Sequence, residues 1–199
     1  MGRHAKFSND QILGAALALL SERGPVGVTM SGISRRTGAP IGSLYHRFPS
    51  RDHLMALLWL SIAESFQEGF LEALARGDGL SAALHTPRWV REHPSEGTVL
   101  LLFRREELIA GTWPTGVSER ATALARQLDE GLFGFVDERF GSIDKEELGT
   151  VVFALIDVPY AAVSRYLKNG ESPPPVVDQL IEKTYRSLMG DNNEDQKRP

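Results

Sequence analysis

Between positions 54 and 74 an apolar side chain stands at every fourth position: Leu54, Leu58, Ile62, Phe66, Phe70 and Leu74. An α-helix turns once in about 3.6 residues, so this set forms one slowly winding apolar stripe about six turns long. A strand reading fails on length, because strands in globular domains run to about 3–10 residues. The same spacing recurs along the chain: Ile12, Ala16, Leu19 and Leu20 near the start, then Leu124, Leu128 and Leu132 with Phe135 and Val136. Near the end, Val176/Val177, Leu180/Ile181, Thr184/Tyr185 and Leu188 repeat it. No stretch alternates with period two, and no internal repeat is visible. The chain reads as all-α, with about nine helices.

Caps and breakers set the boundaries. Ser8-Asn9-Asp10-Gln11 has the form of a capping box before the first helix, which Gly24-Pro25 ends. Thr29 is placed to cap a short second helix through Arg36. Gly38 follows as a turn residue, and Pro40 suits the first turn of a third short helix reaching Phe48. Ser50 caps the long ladder, and Gly77-Asp78-Gly79 stops it. Residues 80–92 predict a helix ending at His93-Pro94, with Ser95 capping the next, where 99–103 is apolar all round. Residues 111–116 read as a loop, 118–140 as a helix closed by Gly141, and 144–167 as a helix that Pro159 should kink. Pro173-Pro174-Pro175 is a stiff lead-in to the last helix, and residues 191–199, without an apolar side chain, predict a disordered tail.

Composition enters through exclusion. The chain has no cysteine, which removes disulfides, thiolate metal sites and cysteine nucleophiles. Its longest apolar runs, 12–20 and 54–60, fall short of the ~18 residues of a membrane span, so no membrane partner is expected. Asp10 before the first run and Ser21-Glu22-Arg23 after it do not fit a signal peptide, and the expected location is cytoplasmic. No GxxxxGK, HExxH, GxSxG or GxGxxG pattern occurs, and the five His residues are scattered. Glu106-Glu107 and Glu146-Glu147 are adjacent pairs that do not share a helix face. No catalytic residue, metal ligand or cofactor is therefore expected, and the chain does not read as an enzyme.

Charge is unevenly distributed. The formal net charge is −4, yet residues 1–60 hold seven Lys/Arg against three Asp/Glu, and the remainder fifteen against twenty-three. A +4 head on a −8 body is the electrostatic footprint of a nucleic-acid-binding unit on an acidic support, or else chance clustering on a solvated face. Within the head, two short helices flank a Gly-containing turn, the outline of a helix-turn-helix. In that motif the second helix enters the major groove, while the first braces it and touches the backbone. Ile33, Leu44 and Phe48 can pack with Ile12 and Leu19 to fix the crossing. This leaves Ile41, Ser43, Tyr45, His46 and Arg47 able to face DNA, with Pro40 beginning the same helix. Tyr45 could instead pack on the first helix, His46 could be a plain surface residue, and Arg35 and Arg36 could be solvated or paired.

Gly38-Ala39-Pro40-Ile41-Gly42-Ser43-Leu44-Tyr45-His46-Arg47-Phe48, followed by Arg51 and Leu54, closely resembles the signature of the tetracycline-repressor (TetR/AcrR) family. Gly24, Thr29 and Ile33 fit the same pattern, and the resemblance covers residues 8 to about 60. Ala39, Arg47 and Arg51 stand where Val, His and Lys are frequent. The resemblance implies that Tyr45 hydrogen-bonds a phosphate and that Thr29, with Ser31 beside it, meets the DNA backbone at the start of the second helix. Arg51 keeps a positive charge for a phosphate at the start of the fourth helix, and Arg3 and Lys6 lie in an arm able to add contacts.

The resemblance also implies a division into a DNA-binding domain (1–52), a helical effector-binding and dimerisation domain (53–190) and a tail (191–199). It implies a homodimer through the last two helices, bound to double-stranded DNA at a palindromic operator and released by a small-molecule effector, as a repressor. The broad apolar stripe of the last helix independently favours a four-helix dimer interface. Aromatics of the middle helices, Trp59, Phe66, Phe70, Trp89, Phe103, Trp113, Phe133 and Tyr160, are candidates for the effector pocket. Asp157, set in an apolar stretch, should be paired or face a cavity, where it could meet a cationic ligand. Two competing readings are an all-α binder or enzyme with a non-functional head, and an activator or co-repressor-dependent regulator of the same fold.

Overall fold

The computed structural model of the chain describes residues 7–102 and 116–190. Among them there are nine helices and no strand, if the stretch Lys145–Lys168 counts as one helix. They are α1 (Asn9–Gly27), α2 (Met30–Thr37), α3 (Ile41–Arg47), α4 (Arg51–Ala75), α5 (Gly79–Glu92) and α6 (Pro94–Leu102). Then come α7 (Ser118–Phe140), α8 (Lys145–Lys168) and α9 (Val176–Met189). Residues 111–115 of the expected loop, the tail 191–199, Arg3, Lys6, Glu106-Glu107, Phe103 and Trp113 lie outside the described residues.

The caps follow the sequence closely. Ser8 and Gln11 form the reciprocal capping box of α1, Thr29 accepts from Gly32 N–H at 3.0 Å, and Ser50 accepts from His53 N–H at 3.0 Å. Asp78 caps α5 by accepting from Ser81 N–H at 2.9 Å, and its hydrogen bonds to Ser81 hold the carboxyl below its usual range. Two ends differ from expectation. Helix α1 breaks at Gly24, whose φ of 67° is left-handed, but one further helical turn follows at Pro25. Helix α6 starts at Pro94 itself, since its missing N–H is one of the unpaired donors of a first turn.

Pro159 does not simply kink α8. Residues Phe153–Asp157 widen into a π-helical turn just ahead of it, which accommodates the missing donor without ending the helix. By length and composition alone α8 could cross a membrane. Its inward residues Val151, Ala154, Leu155 and Val163 are instead core of the body. Asp157 and Arg165 are exposed on the other side.

Helices α1–α3 make a small head whose centre is Ile12, Leu20, Ile33, Leu44 and Phe48, all at most 1% exposed. Helix α4 runs from this head into the body, where it packs along α5 and α7, while α6 meets both α1 and α4. Helix α9 lies on α5, held by a two-pronged pair in which Arg91 donates to Asp178 at 2.7 and 2.9 Å.

Candidate nucleic-acid interface and effector cavity

The turn between α2 and α3 is fixed by short-range chemistry. Gly38 adopts φ 74°, a conformation that costs other residues strain. Its N–H donates to Ser34 O at 2.8 Å. The Ser34 hydroxyl donates to Ala39 O at 2.7 Å, and Thr37 Oγ1 accepts from Ala39 N–H at 3.2 Å. Leu44 and Phe48 then anchor α3 inward, so its opposite face is set with little freedom.

That outer face carries Pro40, Ile41, Gly42, Tyr45 and His46, all exposed, with Ser43 half-buried beside them. Ile41 is 45% exposed and Tyr45 49%, so Tyr45 is turned to solvent and is not packed into the head. Thr29 and Ser31 lie at the start of α2 with their hydroxyls 3.3 Å apart, both exposed. Gly42 has no packing reason to be glycine, since a Cβ there would meet nothing within 4 Å. Arg36 is paired on the surface with Glu22 at 2.7 Å.

Two cations are not on that face. Arg47 turns back and donates to Phe7 O at 2.5 Å and more distantly to Asn9 Oδ1 at 3.4 Å, tying α3 to the start of α1. Arg51 donates from Nε to Val28 O at 2.9 Å, from one terminal nitrogen to Pro25 O at 2.6 Å and from the other to Asp52 at 3.1 Å. Without DNA, the expected base-reading Arg47 and phosphate-binding Arg51 are thus both engaged within the head. At the broken end of α1 the Pro25 carbonyl accepts a long bond from Val28 N–H at 3.3 Å, and a planar guanidinium with five N–H donors adds a second, shorter bond to it and one to the Val28 carbonyl.

In the body, a cavity of about 140 Å³ lies among α4, α5, α6, α7 and α8. Phe66, Gln67 and Phe70 line it from α4, Thr86 from α5, Leu101 from α6 and Leu128 from α7. Leu155, Ile156 and Tyr160 line it from α8, two of them on the π turn. Of the aromatic candidates, Phe66, Phe70 and Tyr160 are thus on the wall, and Tyr160, 43% exposed, stands at its edge. Trp89 is behind it, edge-on to Phe66 at 5.3 Å and stacked on His93 at 4.8 Å. Trp59 does not line it, and Phe133 is 41% exposed on α7.

Asp157 is exposed and reaches neither a partner in the core nor the cavity, which corrects its expected role. The π turn carries Leu155 and Ile156 inward and leaves Asp157 in solvent, where a carboxylate needs no partner. Sequence reasoning missed Gln67, whose Oε1 is buried without a hydrogen-bond partner. It sits one place beyond the stripe residue Phe66, where a polar residue ordinarily faces water. His85, one of the scattered histidines without metal-ligand spacing, packs beside the same wall. Its ring is 5.0 Å from Phe66, and Nε2, which must carry the proton, donates to Phe66 O at 2.7 Å. Burial pulls its pKa below the ordinary 6.5.

Comparison with known proteins follows this geometry. The profile of bacterial regulatory proteins of the tetR family matches residues 12–58, which cover the head from α1 into α4. No curated protein matches the chain. Among solved structures, the fatty acid degradation regulator FadR from Bacillus halodurans superposes with a TM-score of 0.67 at 14% identity, covering 92% of this chain and 98% of that one. A transcriptional regulator from Rhodococcus sp. RHA1 gives 0.68 at 15% identity, covering 92% and 96%. A TetR-like transcriptional regulator from the same organism gives 0.62 at 18% identity, covering 95% and 100%. Those likenesses carry the all-helical fold along most of the chain, and the head, over residues 12–58, matches the tetR family of bacterial regulatory proteins.

Proposed function

We propose that this chain is a cytoplasmic, ligand-responsive repressor that binds a palindromic operator as a homodimer and is released by a small-molecule effector. The observation that carries the reading is the solvent-facing side of α3, where Ile41, Tyr45 and His46 project from a helix anchored by Leu44 and Phe48. A face so oriented is of the size and shape a major groove admits.

In this reading Thr29, Ser31 and Tyr45 hold phosphates, while Ser43, His46 and the apolar Ile41 and Pro40 meet base edges and thymine methyls. Gly42 leaves space for close approach of a DNA strand. Arg47 and Arg51 hold the head in shape.

The domain division at 52/53 has a mechanical consequence, because α4 crosses it without a break. Gln67 lies sixteen residues beyond Arg51 on that helix, or about 24 Å at 1.5 Å per residue. An effector that displaces Phe66 and Gln67 moves one end of a rigid rod whose other end carries the head. Release requires only that the effector prefers the conformation in which the two heads no longer match the operator spacing.

Selection of double-stranded DNA from a random pool, followed by salt-titrated binding, tests the reading. The expected product is a palindrome with half-sites about 10 bp apart, bound less tightly as salt rises. Tyr45→Phe should weaken binding evenly across sequences, and His46→Ala should relax base preference. A pool from which no DNA is enriched overturns the proposal.

A further inference from the structure

We infer that the cavity behind Phe66 takes a compact, neutral, largely apolar molecule that carries a hydrogen-bond donor, and that Gln67 is the residue that reads the donor. The inference rests on the regulator reading for its biological meaning, although its chemistry stands on the cavity alone.

Size comes first. A cavity of about 140 Å³ is close to the ~150 Å³ at which an apolar protein cavity accepts benzene. A single ring or a short branched chain fits it, and an extended chain does not.

Charge comes next. Phe66, Phe70, Leu128, Leu155 and Ile156 supply the bulk of the wall, and no ionisable carboxylate, ammonium, guanidinium or imidazole lies on it among the described residues. A charged ligand would lose its hydration with nothing in return, so the occupant is neutral.

The polar signature is the last constraint. Gln67 Oε1 is buried and unpartnered on a wall that is otherwise mostly hydrocarbon. A carbonyl oxygen only accepts, so the group that satisfies it must donate: a hydroxyl, an amine N–H or an amide N–H. The other polar groups on the wall, the Thr86 and Tyr160 hydroxyls, can each donate or accept and so set no direction. A site with an otherwise unsatisfied acceptor discriminates strongly against an analogue lacking the donor.

Phenol, toluene and benzaldehyde are matched in size and differ at one substituent: a donor, a methyl group and an acceptor. Calorimetric titration of the full chain with each, in the unaltered protein and in Gln67→Leu, gives the test. Phenol should bind the unaltered protein, and Gln67→Leu should weaken phenol about tenfold while leaving toluene unchanged or tighter. Gln67→Met, closer to glutamine in length, should give the same pattern and guards against a folding defect in the leucine variant. Equal losses for phenol and toluene, preference for benzaldehyde over phenol, or no binding of any of the three overturns the inference.

A parallel measurement on the selected operator separates the two readings. Gln67-dependent phenol binding that leaves operator affinity unchanged upholds the cavity assignment and counts against effector control. Operator release by compounds that bind independently of Gln67 does the reverse.

Discussion

Arg51 shows how a side chain's role is decided by what its backbone neighbours lack. Helix α1 breaks at Gly24 and restarts for one turn, and the resulting carbonyls of Pro25 and Val28 are met by one guanidinium. Hydrogen bonds from a charged donor contribute about 1.5–3 kcal/mol, so Arg51→Ala should lower the unfolding free energy by about 2 kcal/mol, read from a chemical denaturation midpoint. Arg51→Lys should recover only part of it, because an ammonium cannot present a planar fork to two carbonyls. Full recovery by lysine would mean that charge, and not geometry, holds the turn. His85 makes a second residue-scale prediction. Its folded pKa lies below 6.5, chiefly through burial against Phe66 and Phe70, with the hydrogen bond to Phe66 O and then Glu92 acting upward and Arg88 and His93 downward. The unfolded chain therefore binds the proton more readily than the folded one. The stability from the neutral ring is complete above about pH 6.5 and is lost as pH falls through that value. The melting temperature should drop from pH 7 to pH 5, and His85→Gln should flatten that part of the profile. An unchanged slope in the variant would assign the acid sensitivity elsewhere.

At the scale of elements, close approach is decided by what is not there. A Cβ on Gly79 would meet the Tyr185 hydroxyl at 2.5 Å and the Phe135 ring at 2.6 Å, whereas one on Gly14 would meet nothing within 4 Å. Gly79→Ala should therefore destabilise the chain by about 1–3 kcal/mol by forcing α5 away from α7 and α9. Gly14→Ala, at an exposed position inside α1, should stabilise it by about 0.5–1 kcal/mol. A thermal melt of each variant distinguishes a packing cost from a helix-propensity gain. These elements also mark what is legible in one dimension. Ser8, Thr29, Ser50 and Gly141 act within a turn or two of their own position, so their roles follow from spacing alone. Leu44 and Phe48 are legible because an anchored helix has only one outward face. The inward swing of Arg47 and Arg51 depends on carbonyls tens of residues away, Phe7 O before the start of α1 for the one and Pro25 O and Val28 O at its broken end for the other. The cavity is assembled from five helices that lie far apart in sequence, so no local pattern announces Gln67. Asp157 misled for the same reason, since an apolar stretch that is covered on one side only looks like one that is covered on both.

For the whole molecule, the unresolved surplus is apolar surface on α8 and α9. Helix α9 turns Val177, Ile181, Tyr185 and Met189 into the body, yet Val176, Leu180 and Leu188 remain 48%, 53% and 41% exposed. Phe153 and Tyr160 on α8 are 49% and 43% exposed. A helix with apolar residues on two faces needs neighbours on both, and among the described residues α5 and α8 cover only the first. In the proposed homodimer a second copy, related by a two-fold axis, would cover the remainder and complete a four-helix interface. Leu180→Glu places a carboxylate on that surface in both copies without touching the core of either. The variant should keep its helical spectrum and melting temperature at low concentration, while its sedimentation mass falls from twice the 21.9 kDa chain to the single chain. Two tethered heads bind two half-sites far more tightly than either head alone, typically by 10²–10⁴. Operator affinity should therefore fall by about a hundredfold or more, although every DNA-facing side chain is intact. A variant that remains dimeric and binds as before would place the interface on some other surface, and an unaltered chain that is monomeric at micromolar concentration would remove the dimer from the mechanism.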